Sequence, residues 1–359
     1  MNICRRTRVL LLTPILLLLP ACGDDPEPSS VGSLTLRIAQ GRGDEAGRIG
    51  AAVSVSRGND GAPVDLAGAN PRLIVEASVD GGAWEALEGV EADYVGPHRL
   101  DVMLIADNSG SEATALETMR EAIGAFATSL LRRSAEDRLG LVRVSTEARV
   151  LEELTSDETA FSAALTGLFV TNGWSALWDG VRLANETLAV APPVLDAAGG
   201  HGERFCADRT YRAIVAFTDG VDNNSADEHD TRYEGDGVDT TFDDLIHLQV
   251  EGVATPIHWV GIGDRADGAA LEAMADATGA RYVAVDQLER LHGALTSAAA
   301  RLTSQVPICF ELESCGHVDL RLTVEFDWEG ERHSLTHPRW ASADCVCHGT
   351  RANCTLRAP

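Results

Sequence analysis

The sequence predicts an α/β protein: a doubly wound, mostly parallel sheet, flanked before and after in the chain by β-rich segments that pack on each other as a sandwich. Three observations carry this. Nearly continuous apolar runs recur at Leu100 to Ala106, Leu139 to Val144, Ala213 to Phe217 and Pro256 to Ile262, with a weaker one at Tyr282 to Val285. Runs of that kind mark strands buried on both faces. Between them lie helical stripes: Leu116, Met119, Ile123, Phe126 and Leu130 step by three or four, as do Leu288, Leu291, Leu295, Ala298 and Leu302, which are core faces of helices that alternate with the strands. On either side of this region the apolar period becomes two, the mark of half-buried antiparallel strands.

The elements follow in order. Met1 to Arg8 carries Arg5, Arg6 and Arg8 and no acid, and Val9 to Leu19 is apolar but too short to span a bilayer comfortably. It runs into Leu19-Pro20-Ala21-Cys22, which resembles the lipobox of bacterial lipoproteins. That resemblance implies a signal peptide at 1–21 and acylation of Cys22, with the N-terminal lipid as the only membrane contact. It places the chain in the bacterial cell envelope, the outer membrane favoured over the inner. An ordinary cleaved signal is the alternative. Residues 22–33, rich in Asp, Pro, Ser and Gly, read as a flexible tether.

Residues 34–98 form an N-terminal β segment, with strands at Leu34 to Ile38, Ala51 to Val55 and Leu73 to Val79. It is too small to close its own core and needs a partner surface. Residues 99–305 are the α/β unit. Residues 306–359 form a cysteine-containing C-terminal β segment, with strands at Ile308 to Leu312 and Val318 to Phe326 and a turn-rich tail from Ala341. Neither flank has enough apolar positions to stand alone, so the two are expected to form one sandwich with the α/β unit inserted between them.

The chain has eight cysteines. With Cys4 in the signal and Cys22 lipidated, Cys206, Cys309, Cys315, Cys345, Cys347 and Cys354 remain, an even number that suggests disulfides in an oxidising compartment without choosing among pairings. A zinc site using Cys345, Cys347, His348 and Cys354 is the alternative.

The 359 residues hold 55 acidic and 29 basic side chains, a net charge of −26, and every basic residue is arginine. So acidic a surface excludes nucleic acid as a partner. The absence of lysine excludes a Walker phosphate loop, a Schiff base and a Ser-Lys dyad. No Gly-x-Ser-x-Gly elbow, His-Glu-x-x-His or paired Cys/His nucleophile occurs, so no enzyme activity is expected. His258, inside an apolar strand, reads as a satisfied core residue.

In a parallel α/β sheet, ligands bind beyond the carboxyl ends of the strands. The first buried strand ends in Asp107-Asn108-Ser109-Gly110-Ser111, a carboxylate and two hydroxyls at i, i+2 and i+4, whose oxygens can converge on one small hard cation. The Ala213 to Phe217 strand ends in Thr218-Asp219-Gly220, a second carboxylate at the same edge. Gly173-Trp174-Ser175-Ala176-Leu177 places a hydroxyl at the start of another helix.

These motifs resemble the von Willebrand factor A domain with its metal-ion-dependent adhesion site, a Rossmann-like fold. Asp107, Ser109 and Ser111 match the Asp-x-Ser-x-Ser element in full and Asp219 matches the Asp of Thr-Asp-Gly. Ser175 stands where the family usually has Thr, keeping the hydroxyl without the methyl; Thr171 is a second candidate for that role. The resemblance covers roughly residues 99–302. It implies Mg²⁺, with Mn²⁺ or Ca²⁺ possible, held by Asp107, Ser109, Ser111, Ser175 and Asp219, and a protein ligand whose acidic side chain fills the open position. A structural docking subunit, in which the metal only stabilises the fold, is the alternative. Ten acids lie between Asp219 and Asp244 against Arg232. Within that block Val221 to Gly237 reads as a solvated specificity loop; an EF-hand is not met, because Ala226 stands where an oxygen ligand is needed.

Overall fold

The computed structural model describes residues 30–31, 34–43, 48–58, 62–92, 99–109, 113–169, 174–190, 210–219, 222, 225, 240–250, 253–348 and 351–357. Cys22 with the rest of the signal, most of the tether, Ser111, Thr171, Cys206 and the acidic stretch 226–239 lie outside the described residues.

Six strands precede the α/β unit, β1 (Ser30–Val31), β2 (Leu34–Gly43), β3 (Arg48–Arg57), β4 (Arg72–Val79), β5 (Glu85–Ala86) and β6 (Glu91–Ala92), and the unit itself begins with β7 (Arg99–Asp107). After β7 come α1 (Ala113–Leu131), β8 (Arg138–Val144), β9 (Ala148–Thr155), α2 (Glu158–Ala164), α3 (Leu177–Val190) and β10 (Thr210–Thr218). Then follow α4 (Phe242–Ile246), a small hairpin of β11 (Gln249–Val250) and β12 (Val253–Ala254), β13 (Ile257–Ile262), α5 (Gly268–Ala277), β14 (Tyr282–Val285) and α6 (Leu291–Thr303). The chain closes with β15 (Val306–Glu311), β16 (Gly316–Trp328), β17 (Glu331–His348) and β18 (Arg351–Arg357).

The central sheet runs β14-β13-β10-β7-β8-β9. Every pairing is parallel except the last, where β9 lies antiparallel on β8. The chain steps from β7 to β8 on one side and later returns to β10 on the other. The strand order therefore reverses between β7 and β10, and their carboxyl ends bound the crevice where such sheets bind ligands.

β7 is buried along its whole length. Leu100, Val102, Leu104 and Ala106 face a core shared with Met119, Ile123 and Phe126 of α1 and Leu291, Leu295 and Leu302 of α6. Met103 and Ile105 face the opposite core, with Leu177, Val181 and Leu188 of α3 and Leu271 and Met274 of α5. Each such side chain, fully buried, contributes about 1.5–3 kcal/mol relative to exposure. α6 starts at Leu291; Leu288 belongs to a single 3-10 turn that precedes it. Two glycines allow the closest approaches: a Cβ at Gly140 would meet Met103 Sδ at 2.3 Å, and one at Gly180 would meet Val144 Cγ2 at 2.4 Å.

Both flanks contribute to both sheets of a β sandwich. One sheet runs β1-β2-β3-β15-β6 and the other β18-β17-β16-β4-β5. β15 pairs antiparallel with β3 from Val306↔Val53 to Glu311↔Arg48, and β16 pairs with β4 from Val318↔Val79 to Glu325↔Arg72. Inward-facing Val318, Leu320, Leu322, Val324 and Phe326 share a core with Leu34, Leu36, Val53, Val55 and Val75. Because Ile308 pairs with Ala92, the chain leaves the sandwich and re-enters it at neighbouring strands, with the α/β unit between.

The tail from Ala341, expected to be turn-rich, is instead the second half of β17 paired with β18 in a hairpin, β17 being the longest strand among the described residues. Cys345 and Cys354 face each other across it and form a disulfide. Cys309 and Cys315 are also disulfide-bonded. Two of the four groups of the alternative zinc site are thereby consumed, and zinc is set aside. Among the described residues, no helix is long and apolar enough to cross a membrane.

Candidate metal centre

Asp107 is the last residue of β7 and its side chain is fully buried at the crevice between β7 and β10. Its Oδ1 accepts from the Ser109 backbone N–H at 3.1 Å and from Ser109 Oγ at 2.7 Å. Its Oδ2 accepts from Ser175 Oγ at 3.1 Å and from Thr218 Oγ1 at 2.5 Å. Three loops, after β7, before α3 and at the end of β10, therefore meet on one carboxylate. Burial pushes the Asp107 carboxyl above the usual range, and the hydrogen bonds from Thr218, Ser109 and Ser175 bring it only part of the way back.

Asp219 follows β10 directly. Its carboxyl is also raised, first by burial and then by the charge of Asp107, while Arg265 pulls it down from 3.6 Å. Two carboxylates thus face each other at the switch point with one exposed guanidinium nearby. Among the described residues no group of three or more His, Cys, Asp or Glu is placed to hold a metal. The donor set here is two carboxylates plus hydroxyl oxygens, all hard ligands of the kind Mg²⁺, Mn²⁺ and Ca²⁺ take. A buried and a partly buried carboxylate this close repel each other until a cation intervenes, so the residues present fit a divalent ion.

The loops that carry these groups are tied together. The Asn108 N–H donates to Val144 O at 3.2 Å and the Ala176 N–H to Ser145 O at 2.9 Å, anchoring both ligand loops to the end of β8. Asn108 Nδ2 donates to Phe169 O. The first turn of α3 is capped from the loop after β10, with the Trp178 N–H on Asp222 Oδ1 at 3.1 Å and the Asp179 N–H on Ser225 Oγ at 3.1 Å. Asp222 is therefore a helix cap that seats the Ser175 loop.

The structure thus brings together Asp107, Ser109, Ser175 and Asp219 of the five residues expected to bind metal; Ser111 lies outside the described residues. Thr218 was not foreseen as part of the set. Its place as the last strand residue before Asp219 was the available signal, since that end of β10 adjoins the end of β7. Beside the crevice, Phe169 and Trp174 are 49% and 48% exposed, two of the few large apolar side chains so exposed among the described residues. The Arg143 guanidinium lies over the Phe169 ring, 4.3 Å from its centre.

With this geometry in view, the likeness to known proteins can be stated. The profile of the von Willebrand factor type A domain matches residues 102–221, a stretch that contains all five candidate ligands. No curated protein matches the chain. Similar solved structures include a von Willebrand factor type A protein from Catenulispora acidiphila, 14% identical, covering 87% of this chain and 72% of that one, with a TM-score of 0.42. Another is proximal thread matrix protein 1 from the mussel byssus with a zinc-occupied MIDAS motif, 15% identical over 57% of this chain and 48% of that one, TM-score 0.42. A third is the ArnB paralog VWA2 from Sulfolobus acidocaldarius, 10% identical over 91% and 76%, TM-score 0.39. The match spans about half the length of the mussel protein.

Proposed function

We propose that the protein is an exported, lipid-anchored envelope protein that binds a protein partner through a divalent cation at the β7/β10 crevice, and that it is a binder rather than an enzyme. The observation that carries this reading is the pair of carboxylates, Asp107 and Asp219, both raised by burial and Asp219 further by the charge of Asp107, with hydroxyls from three loops on Asp107. Asp107, Ser109, Ser175 and Asp219 would hold the ion, with Ser111 from the same sequence motif and Thr218 orienting Asp107. When bound, the cation supplies the positive charge that lets a strongly acidic protein accept an acidic side chain from its partner. Mg²⁺ is the first choice, with Mn²⁺ and Ca²⁺ using the same oxygens.

The chain's own residues favour a protein partner. Trp174 and Phe169 give the crevice an exposed aromatic rim, and aromatic side chains are enriched in the cores and hot spots of protein interfaces. Export and lipidation rest on the Arg5 to Cys22 segment alone. Capture of surface proteins from intact cells should occur with Mg²⁺ and fail with chelator and with Asp107→Ala. Equal capture in all three would overturn the adhesion mechanism, and chelation that lowers the melting temperature without releasing the partner would instead identify a docking subunit with a structural ion.

A further inference from the structure

The other end of the central sheet, where it rests on the sandwich, carries a second concentration of unusual chemistry. His258 is the second residue of β13 and faces α6 rather than α3, since its neighbour Trp259 lies in the opposite core. It is 3% exposed, and neither ring nitrogen has a hydrogen-bond partner, so the expectation of a satisfied core histidine is corrected. Arg301, on the last turn of α6, is 6% exposed; its Nη1 reaches Ser297 Oγ at 2.9 Å, its Nε has no partner, and it forms no ion pair among the described residues. Gln305, 4% exposed, donates from Nε2 to Arg301 O at 3.3 Å and leaves Oε1 without a partner.

A third strand of evidence comes from the sandwich. Arg37 of β2 reaches across with Nη1 to Asp276 at 2.6 Å and to Ala280 O at 2.8 Å, and its buried Nε has no partner. Arg281, next in the chain, accepts the Trp259 N–H on its carbonyl at 2.9 Å and places Nη1 on Ser56 Oγ of β3 at 3.2 Å. Val306, directly after Gln305, pairs with Val53 of β3, whose other neighbour is Ile38, next to Arg37 in β2, so the ends of α6, β2, β3 and the start of β13 meet at one junction. The guanidinium groups are close enough to disturb one another: burial, then Arg281 and Arg37, brings Arg301 down to about 10. Burial, then Arg301 and Arg37, holds His258 neutral, at about 3.

We infer that this junction is a binding site for a small inorganic oxyanion of the phosphate or sulfate class, held by the Nε–H groups of Arg37 and Arg301 and a ring N–H of His258, which ties the α/β unit to the sandwich. A buried guanidinium is costly without an anion, and Arg301 has no carboxylate among the described residues; the one carboxylate at the junction, Asp276, is taken by Arg37 Nη1, which leaves the Arg37 Nε–H beside Arg301 unanswered. A tetrahedral oxyanion offers separate acceptor oxygens to donors arriving from different elements, which a spherical halide does not. The site lies at the opposite end of the strands from Asp107 and is independent of the metal.

The test uses the full-length protein in chelator, so that the metal centre does not contribute, titrated calorimetrically with inorganic phosphate, sulfate, acetate and chloride at constant ionic strength, with melting temperatures read in parallel. Saturable binding of one phosphate or sulfate per chain is expected, with a melting temperature raised by roughly 5 °C at hundredfold excess over Kd. Arg37→Gln, at a partly exposed side chain that folding tolerates, should weaken it at least about tenfold, as should Arg301→Gln. No saturable binding, saturation by chloride alone, or undiminished binding in folded Arg37→Gln would overturn the assignment.

Discussion

Replacing Gly180 by alanine probes how α3 holds the Ser175 loop. Gly180 lies in the first turn of α3, where a Cβ would sit 2.4 Å from Val144 Cγ2 and 3.5 Å from Ile105 Cγ2. Carbon atoms settle near 3.5–4.0 Å, so α3 must withdraw by about 1 Å or Val144 must shift in a packed core. Overpacking of this kind costs about 1–3 kcal/mol, and the better helix propensity of alanine returns about 1 kcal/mol. The net loss is about 1 kcal/mol, or a melting temperature lower by about 2–4 °C. The larger effect falls on the site. Ser175 Oγ is 3.1 Å from Asp107 Oδ2, and withdrawal by about 1 Å breaks that hydrogen bond. Losing one hydroxyl from the set should weaken Mg²⁺ binding by about tenfold, more than the stability change suggests. Calorimetric melting with and without Mg²⁺, with a metal titration on the folded variant, reads both. An unchanged or raised melting temperature with undiminished Mg²⁺ affinity would refute the seating of α3 against β7 and β8.

Three further outcomes follow from the same structure. His258 is faced by Arg301 from α6 and Arg37 from β2, and its folded pKa of about 3 lies below its ordinary 6.5. The unfolded chain therefore takes up the proton first, so stability is fully present above about pH 6.5 and falls as pH drops toward 3, by up to about 1.4 kcal/mol per pH unit. Denaturant melts of His258→Leu in phosphate-free buffer should show a flatter acid limb by that slope. Cys345→Ser opens a disulfide whose cysteines are nine residues apart and should cost about 2.5 kcal/mol, seen as loss of protection in β17 and β18 by hydrogen exchange while the central sheet stays protected. Trp174→Ala removes an exposed rim side chain and should reduce Mg²⁺-dependent partner capture at least about tenfold with no change in melting temperature or metal affinity.

The strands of the central sheet were legible because burial on both faces favours apolar side chains, and β7, β8, β10 and β13 are written as nearly continuous apolar runs, broken by few polar residues such as Asp101, Arg143 and His258. The edge strand β9 escaped notice for the opposite reason: Ala148 to Thr155 is half-buried at best and carries Arg149, Glu152 and Glu153. Likewise β17 looks like a tail because Arg332, His333, His337 and Arg339 interrupt its apolar positions; its extended form comes from pairing with β16 and β18, which is a property of partners distant in sequence.

At the site, Asp107 and Asp219 could be found because each ends a readable strand. Thr218 joins them only when β10 is known to neighbour β7, and Asp222 is a cap because its loop folds back on α3. The anion junction was not legible at all. Arg37 lies 239 residues from Asp276, and only the packing of sandwich on sheet shows that Arg37, Arg301 and His258 share one place.

The most direct test of the central claim is a calorimetric titration of the metal-free, full-length protein with Mg²⁺, repeated with Mn²⁺ and Ca²⁺, on wild type and on Asp107→Asn. One ion per chain is predicted for the wild type. In Asp107→Asn, with melting temperature and near-ultraviolet circular dichroism showing an intact fold, the affinity should fall at least about 100-fold. Absence of binding in the wild type, or equal affinity in a folded Asp107→Asn, would contradict a metal centre at the β7/β10 crevice.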